Sequence, residues 1–282
     1  MRRHPVREGR FRHRGAELVY DVHDVHDVHR DAGEGDAGEG PLAVYAHGGF
    51  ASQAAEDRMG LFDWTPVLAA GRRLVRYDAR AHGRSTGEPV DDDYTYPSLA
   101  GDLLALLDHL GARRPVDAMG ASMGCGTVLH AAVRAPDRFS RLVLLIPPTA
   151  WTTRAAYASD NRRSAATIER AGVDAWLAAR RAAPRPPVVA DVPEVPPTPA
   201  GPVLPAVLRG LARSDLPSLP KIAALPHPTL ILAWADDPGH PLSTARTLAD
   251  TLLHADLHVA RTRADIHAWG ARIAEFLTRP GP

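Results

Sequence analysis

One cysteine, Cys125, stands in the 282 residues. A lone thiol cannot close an internal disulfide, which suits a reducing compartment. Neither sign of charge is in excess, because 33 Lys plus Arg face 33 Asp plus Glu, a formal net charge of zero with histidine neutral. No basic field exists to gather nucleic acid. Long hydrophobic runs are also lacking: the longest, residues 142–148, is far too short to cross a bilayer, and the start MRRHPVREGR has no apolar segment behind its charges. These absences argue against nucleic-acid and membrane partners and for a cytoplasmic protein.

What is present is length and punctuation. A chain this long can bury a full core, either as one large α/β domain or as two small ones. The reading adopted is one domain with an insertion. Proline is abundant at 26 residues, many of them between Pro184 and Pro228, and marks an irregular segment there.

Residues 115–133, PVDAMGASMGCGTVLHAAV, read as a buried strand, a pinched turn with Ser122 at its tip, and a helix. A turn that tight needs small side chains on both sides of the serine, and Gly120, Ala121, Gly124 and Gly126 supply them. In such a Gly-x-Ser-x-Gly elbow the hydroxyl projects from the sheet. The backbone N–H of the next residue, Met123, faces a developing oxyanion, and the helix adds its positive end. Cys125 reads as a packing residue at the helix start.

In chain order, residues 10–14 and 16–22 form a hairpin around Gly15. Residues 21–40 repeat Asp-Val-His three times (His23, His26, His29) and Asp-Ala-Gly-Glu-Gly twice, a low-complexity loop within the core domain. Three histidines suggest a metal site, but glycine-rich sequence fixes no ligand geometry, so the loop reads as a solvated hairpin tip and no metal is assigned. Residues 42–46 are a strand ending in His47-Gly48-Gly49-Phe50. Glycines there let backbone N–H groups point into a site, making Gly49 the first and Phe50 the second candidate for the other oxyanion donor. A helix at 64–70, a strand at 73–77, a helix at 96–110 and a strand at 141–146 follow. Asp78 and His82 read as loop-ordering groups. Strands alternating with helices call for a mostly parallel, doubly wound α/β sheet.

Residues 149–225 break that rhythm with helical patches at 155–170 and 173–181, a proline-rich span, and a helix at 203–212. They read as a cap over the strand ends, with Trp151, Tyr157 and Trp176 as candidate substrate-binding aromatics. The core domain is then 1–148 with 226–282. It resumes with a strand at 229–233, a helix at 242–253, a strand at 256–260 and a last helix at 265–278.

A serine hydroxyl becomes a nucleophile only when a base takes its proton and a carboxylate orients the base. The strand with His47-Gly48-Gly49-Phe50, the run YDARAHGRS at 77–85, the elbow at 119–124 and residues 233–241 together resemble the α/β-hydrolase superfamily, in its bacterial esterase, lactonase and haloperoxidase-like branch. The resemblance covers most of residues 40–278. It implies Ser122 as nucleophile, Gly49 or Phe50 with Met123 as oxyanion donors, and an acid four residues before a proline, which selects Asp237, with Pro241, over Asp236. It places the histidine after the last strand, often behind a glycine, and here the sequence departs: no Gly-His occurs, and His267 is the only histidine beyond that strand. His267 is the default base. His240, three residues from Asp237, is the alternative, and His258 reads as a strand residue. The expected reaction is cleavage of a small-molecule ester, thioester or lactone through an acyl-enzyme, with no metal or organic cofactor. Diversion of the acyl-enzyme to peroxide is a variant of the same chemistry. A second reading is a non-hydrolytic protein that binds or cyclises a small molecule without a working histidine. Sequence leaves the substrate open, and a homo-oligomer is compatible with it.

Overall fold

The structure is a computed structural model that describes residues 6–24, 40–183, 185–199 and 201–280. Strands β1 (Val6–His13) and β2 (Ala16–His23) pair antiparallel from Val6 opposite His23 to His13 opposite Ala16. Gly15 closes the hairpin at φ 75°, a left-handed conformation that costs glycine little. Strand β2 runs through His23, the first histidine of the repeat; His26 and His29 lie outside the described residues.

Strand β3 (Leu42–Ala46), helices α1 (Gln53–Met59) and α2 (Thr65–Ala69) and strand β4 (Arg73–Tyr77) come next. Helix α3 (Tyr96–His109), strand β5 (Val116–Ala121), helix α4 (Met123–Arg134) and strand β6 (Phe139–Leu145) continue the alternation. Four helices then follow without a strand between them: α5 (Arg154–Ala171), α6 (Val173–Ala182), α7 (Leu204–Ala212) and α8 (Leu219–Ala223). Strand β7 (Thr229–Trp234), helix α9 (Leu242–Thr251), strand β8 (Ala255–Ala260) and helices α10 (Arg263–His267) and α11 (Trp269–Thr278) complete the fold.

The described strands form one eight-stranded sheet in the order β1-β2-β4-β3-β5-β6-β7-β8. Strands β1 and β2 are antiparallel, and every pair from β4–β3 to β7–β8 is parallel. Parallel neighbours require crossovers, and the helices supply them while covering both faces. Alternation along each strand divides the core. Val44 and Ala46 of β3 enter a cluster with Leu103, Val128 and Leu129 on one face, while Ala43 and Tyr45 enter a cluster with Trp64, Trp269 and Ile273 on the other. Strand β5, at the centre, is buried at every position.

One helix was not read from the sequence, and one reading is corrected. Helix α1 is not expected from QAAEDRM, which has no apolar period; it forms because Ser52 accepts the Ala55 N–H at 3.2 Å and Gly60 ends it at φ 60°. The last helix divides in two at Ala268. It starts at Arg263 rather than at 265, with Thr262 as its N-cap: Thr262 Oγ1 accepts the Asp265 N–H at 3.2 Å while Asp265 Oδ2 accepts the Thr262 N–H at 2.9 Å, a reciprocal capping box. No helix among the described residues is long and apolar enough to cross a membrane.

Candidate active site

The site is built around the β5–α4 turn. Ser122 sits there at φ 49°, ψ −107°, a strained backbone for a residue with a side chain, and its N–H bonds Leu145 O at 3.0 Å. The glycines around it are sterically required. A Cβ on Gly120 would overlap the Gly124 carbonyl, one on Gly124 would overlap the Ala46 carbonyl, and one on Gly126 would enter the Tyr96 ring. Cys125 is fully buried, its Sγ bonded to Gly120 O at 3.1 Å and Leu145 O at 3.2 Å, and burial pushes its thiol pKa well up. It packs the elbow.

The loop after β3 is held by His47. Its Nδ1–H donates to Gly48 O at 2.7 Å and its Nε2 accepts the Ala79 N–H at 2.9 Å, while burial lowers its pKa and keeps it neutral. Asp78 accepts the N–H of Gln53 at 2.9 Å and of Arg84 at 3.1 Å, ordering the same region. The loop lies against the elbow: a Cβ on Gly48 would come 3.6 Å from Ser122 Cβ, and one on Gly49 would come 3.8 Å from Met123 Cβ. The N–H of Met123 is among the first four of α4, which have no acceptor within the helix. Phe50 adopts φ 61° and turns its ring to Trp176, centroids 5.7 Å apart.

The turn after β7 carries the partners of Ser122. His240 N–H bonds Asp237 O at 3.1 Å and Gly239 N–H bonds Asp237 Oδ1 at 2.8 Å, which folds Asp237-Pro238-Gly239-His240 back on itself. His240 Nδ1–H donates to Asp237 Oδ2 at 2.7 Å, and Ser122 Oγ–H donates to His240 Nε2 at 2.8 Å. Trp234 Nε1–H donates to Asp237 Oδ2 at 2.7 Å. Burial pushes the Asp237 carboxyl up, but the hydrogen bonds from His240, Trp234 and Gly239 outweigh it and lower the carboxyl to about 2. Asp237 is therefore ionised at neutral pH. The adjacent Asp236 is exposed, at φ 61°.

His267 is not at this site. The capping box starts α10 at Arg263, which turns Ile266 inward and leaves His267 exposed. The histidine that meets Ser122 is the alternative one, His240, at 2.8 Å, and not the default His267. His258 is on β8, facing Arg272 at 3.3 Å.

The three candidate aromatics separate. Trp151 donates its indole N–H to Pro217 O at 3.1 Å and lies against the main core. Tyr157 carries the Arg154 guanidinium 4.6 Å above its ring. Trp176 is buried beside Phe50 and has the closest link to the glycine loop. Thr198 N–H also reaches Phe50 O at 3.0 Å, a contact to this loop that sequence reading missed.

Residues 44–166 match the family model for the alpha/beta hydrolase fold. Over 208 residues the chain is 31% identical to the 2-hydroxymuconate semialdehyde hydrolase of Pseudomonas sp. (strain CF600), covering 69% of this chain and 70% of that protein. The chain belongs to the α/β-hydrolase family. It is also similar to 3-oxoadipate enol-lactonase 2 of Acinetobacter baylyi (strain ATCC 33305 / BD413 / ADP1), at 26% identity across 66% of this chain and 69% of that protein. A solved hydrolase structure from Pseudomonas aeruginosa PA01 superimposes with a TM-score of 0.74 at 24% identity, covering 96% of this chain and 98% of that one, a likeness of fold. These relatives make the protein a hydrolase. The histidine bonded to Ser122 Oγ stands on the turn of Asp237, not in the segment after β8. The signal for it was the spacing in Asp237-Pro238-Gly239-His240, where Pro-Gly favours a turn.

Proposed function

We propose that this α/β-hydrolase is a serine hydrolase that cleaves a small-molecule carboxylic ester, thioester or lactone through an acyl-enzyme. The observation that carries the reading is the unbroken hydrogen-bond chain from Ser122 Oγ to His240 Nε2 and from His240 Nδ1 to Asp237 Oδ2, at 2.8 and 2.7 Å. His240 Nε2 takes the Ser122 proton as Oγ attacks the carbonyl carbon, and Asp237 holds the imidazolium formed. The carbonyl oxygen gains negative charge, which the N–H groups of Met123 and of Gly49 (or Phe50) stabilise. His240 then returns the proton to the departing alkoxide, thiolate or lactone oxygen. Water, deprotonated by the same Nε2, attacks the acyl carbon and releases Ser122 and the acid. No metal or organic cofactor enters these steps.

Residues 149–225 are read as a cap. The contacts that support this are Thr198 on the carbonyl of Phe50, Trp176 against the Phe50 ring, and Leu211 Cδ1, which would lie 3.5 Å from a Cβ on Gly49. The names of the two relatives, a semialdehyde hydrolase and an enol-lactonase, fit small polar carbonyl compounds as the substrate class. The non-hydrolytic reading drew on a missing histidine; with His240 at 2.8 Å from Ser122 Oγ, no feature of the site favours it.

The deciding experiment is pre-steady-state release of p-nitrophenol from short-chain p-nitrophenyl esters. The expected result is a burst with turnover in the native protein, fluorophosphonate labelling that Ser122→Ala abolishes, and loss of turnover in His240→Ala. No burst and no labelling in folded native protein would overturn the proposal.

A further inference from the structure

An acid and a base on one short turn need an external constraint, because a turn residue's carboxylate can rotate about its own side-chain torsion. Gly239 N–H fixes Asp237 Oδ1 from within the turn at 2.8 Å. The other oxygen, Oδ2, is the one that orients His240, and it accepts a second donor, Trp234 Nε1–H, at 2.7 Å. Trp234 lies outside the turn, at the end of β7, and is 5% exposed. Its ring meets the imidazole nearly edge-on, with centroids 6.1 Å apart and planes at 89°. Among the described residues no Arg or Lys forms an ion pair with Asp237, whose charged neighbour on the turn is the exposed Asp236. The donors on Oδ2 are a neutral indole N–H and the His240 Nδ1–H.

The indole is itself held. Trp269, the first residue of α11, stacks on Trp234 at 6.1 Å and 14°, and Phe62 stacks on Trp269 at 6.1 Å and 13°. Trp269 is 2% exposed, so the stack is buried in the core. The segment where the family resemblance places a histidine delivers a structural ring instead.

We propose that Trp234 is the positioning residue of this site: its N–H fixes Asp237 Oδ2 and its ring fixes the imidazole plane, so that His240 Nε2 points at Ser122 Oγ, with Trp269 holding Trp234 in register. The inference rests on the serine-hydrolase reading above. Trp234→Phe removes the donor and leaves a smaller aromatic ring in the stack with Trp269.

The test is turnover of p-nitrophenyl acetate per active site, counted with a fluorophosphonate probe, together with the far-downfield proton resonance of the His240 Nδ1–H. In Trp234→Phe, kcat falls about 10- to 100-fold with KM within about twofold, the scale expected when a reacting group is slightly misplaced. The downfield resonance shifts or broadens. Trp269→Leu, which leaves Trp234 and its donor chemically intact, moves both readouts the same way by a smaller factor and decides the matter if Trp234→Phe fails to fold. Native kcat per labelled site with an unmoved resonance, in either folded variant, overturns the inference. Native turnover in His240→Ala would instead overturn the hydrolase reading on which it rests.

Discussion

Asp237 and His240 are three residues apart in the chain and 2.7 Å apart in space, joined Oδ2 to Nδ1 across one turn. A turn of this kind presents both side chains on one side, so a single loop carries both members of the pair. Ser122 comes from another loop, with β6 lying between the two strands that carry them.

The two histidine variants should part company. His240→Ala is expected to reduce kcat/KM by about 10³-fold, within the range a positioned base contributes, while His267→Ala, altering an exposed side chain, leaves it unchanged. Steady-state kinetics on one p-nitrophenyl ester with both variants settles this; equal losses would remove His240 from its role.

Acid should weaken the fold through Asp237. Its carboxyl is lowered to about 2 in the folded chain, against about 3.9 when unfolded. A lowered carboxyl stabilises the fold above the unfolded value, and that contribution, about 2.6 kcal/mol at most, is lost as pH falls from about 4 towards 2. Asp237→Asn should show a flatter fall of Tm across that window than the native protein. Parallel Tm curves would contradict the assignment.

Gly124→Ala places a methyl group against the Ala46 carbonyl, a backbone atom that cannot step aside. Overpacking of this kind costs about 1–3 kcal/mol. The expected result is a lower Tm with fluorophosphonate labelling slowed beyond what unfolding explains, since the same shift moves Ser122. A variant with native Tm and labelling rate would show that the β3–α4 contact is looser than described.

Cys125 should be silent to thiol reagents. Its Sγ is buried and its pKa is raised, so neither access nor thiolate is available. Ellman's reagent is expected to titrate no thiol in the native protein and one after denaturation. Rapid native-state reaction would place the sulfur at the surface.

The elbow was legible because its sterics are written in residue size: Gly120, Gly124 and Gly126 admit nothing larger, and small residues flanking a serine can be read directly. The parallel sheet was legible from all-apolar strands alternating with helices. Helix α1 was not, since QAAEDRM carries no period and its caps, Ser52 and Gly60, act through geometry. Asp237 and His240 were both candidates, yet spacing alone does not tell which way a histidine leaves a turn. His267 was favoured for its position after the last strand; the Thr262–Asp265 capping box, moving the helix start to Arg263, decided which residue faced inward. The indole bond of Trp234 had no sequence signal, because a tryptophan at a strand end reads only as core. Trp151 and Tyr157 were grouped with Trp176 on side-chain type, a property that does not encode which neighbour each ring meets.

The order of strands β5, β6 and β7 has one further consequence. Ser122 follows β5, and Asp237 and His240 follow β7; the registers of this trio are set by pairs such as Gly120 with Leu144 and Leu144 with Ile231. The 2.8 Å approach of His240 to Ser122 therefore spans three neighbouring strands. The outer strands are tied in as well: Ala235 N–H bonds Ala260 O of β8 at 3.2 Å, and Asp78 N–H bonds Val19 O of β2 at 2.9 Å, so a change in length at either edge of the sheet is transmitted to a loop that borders Ser122.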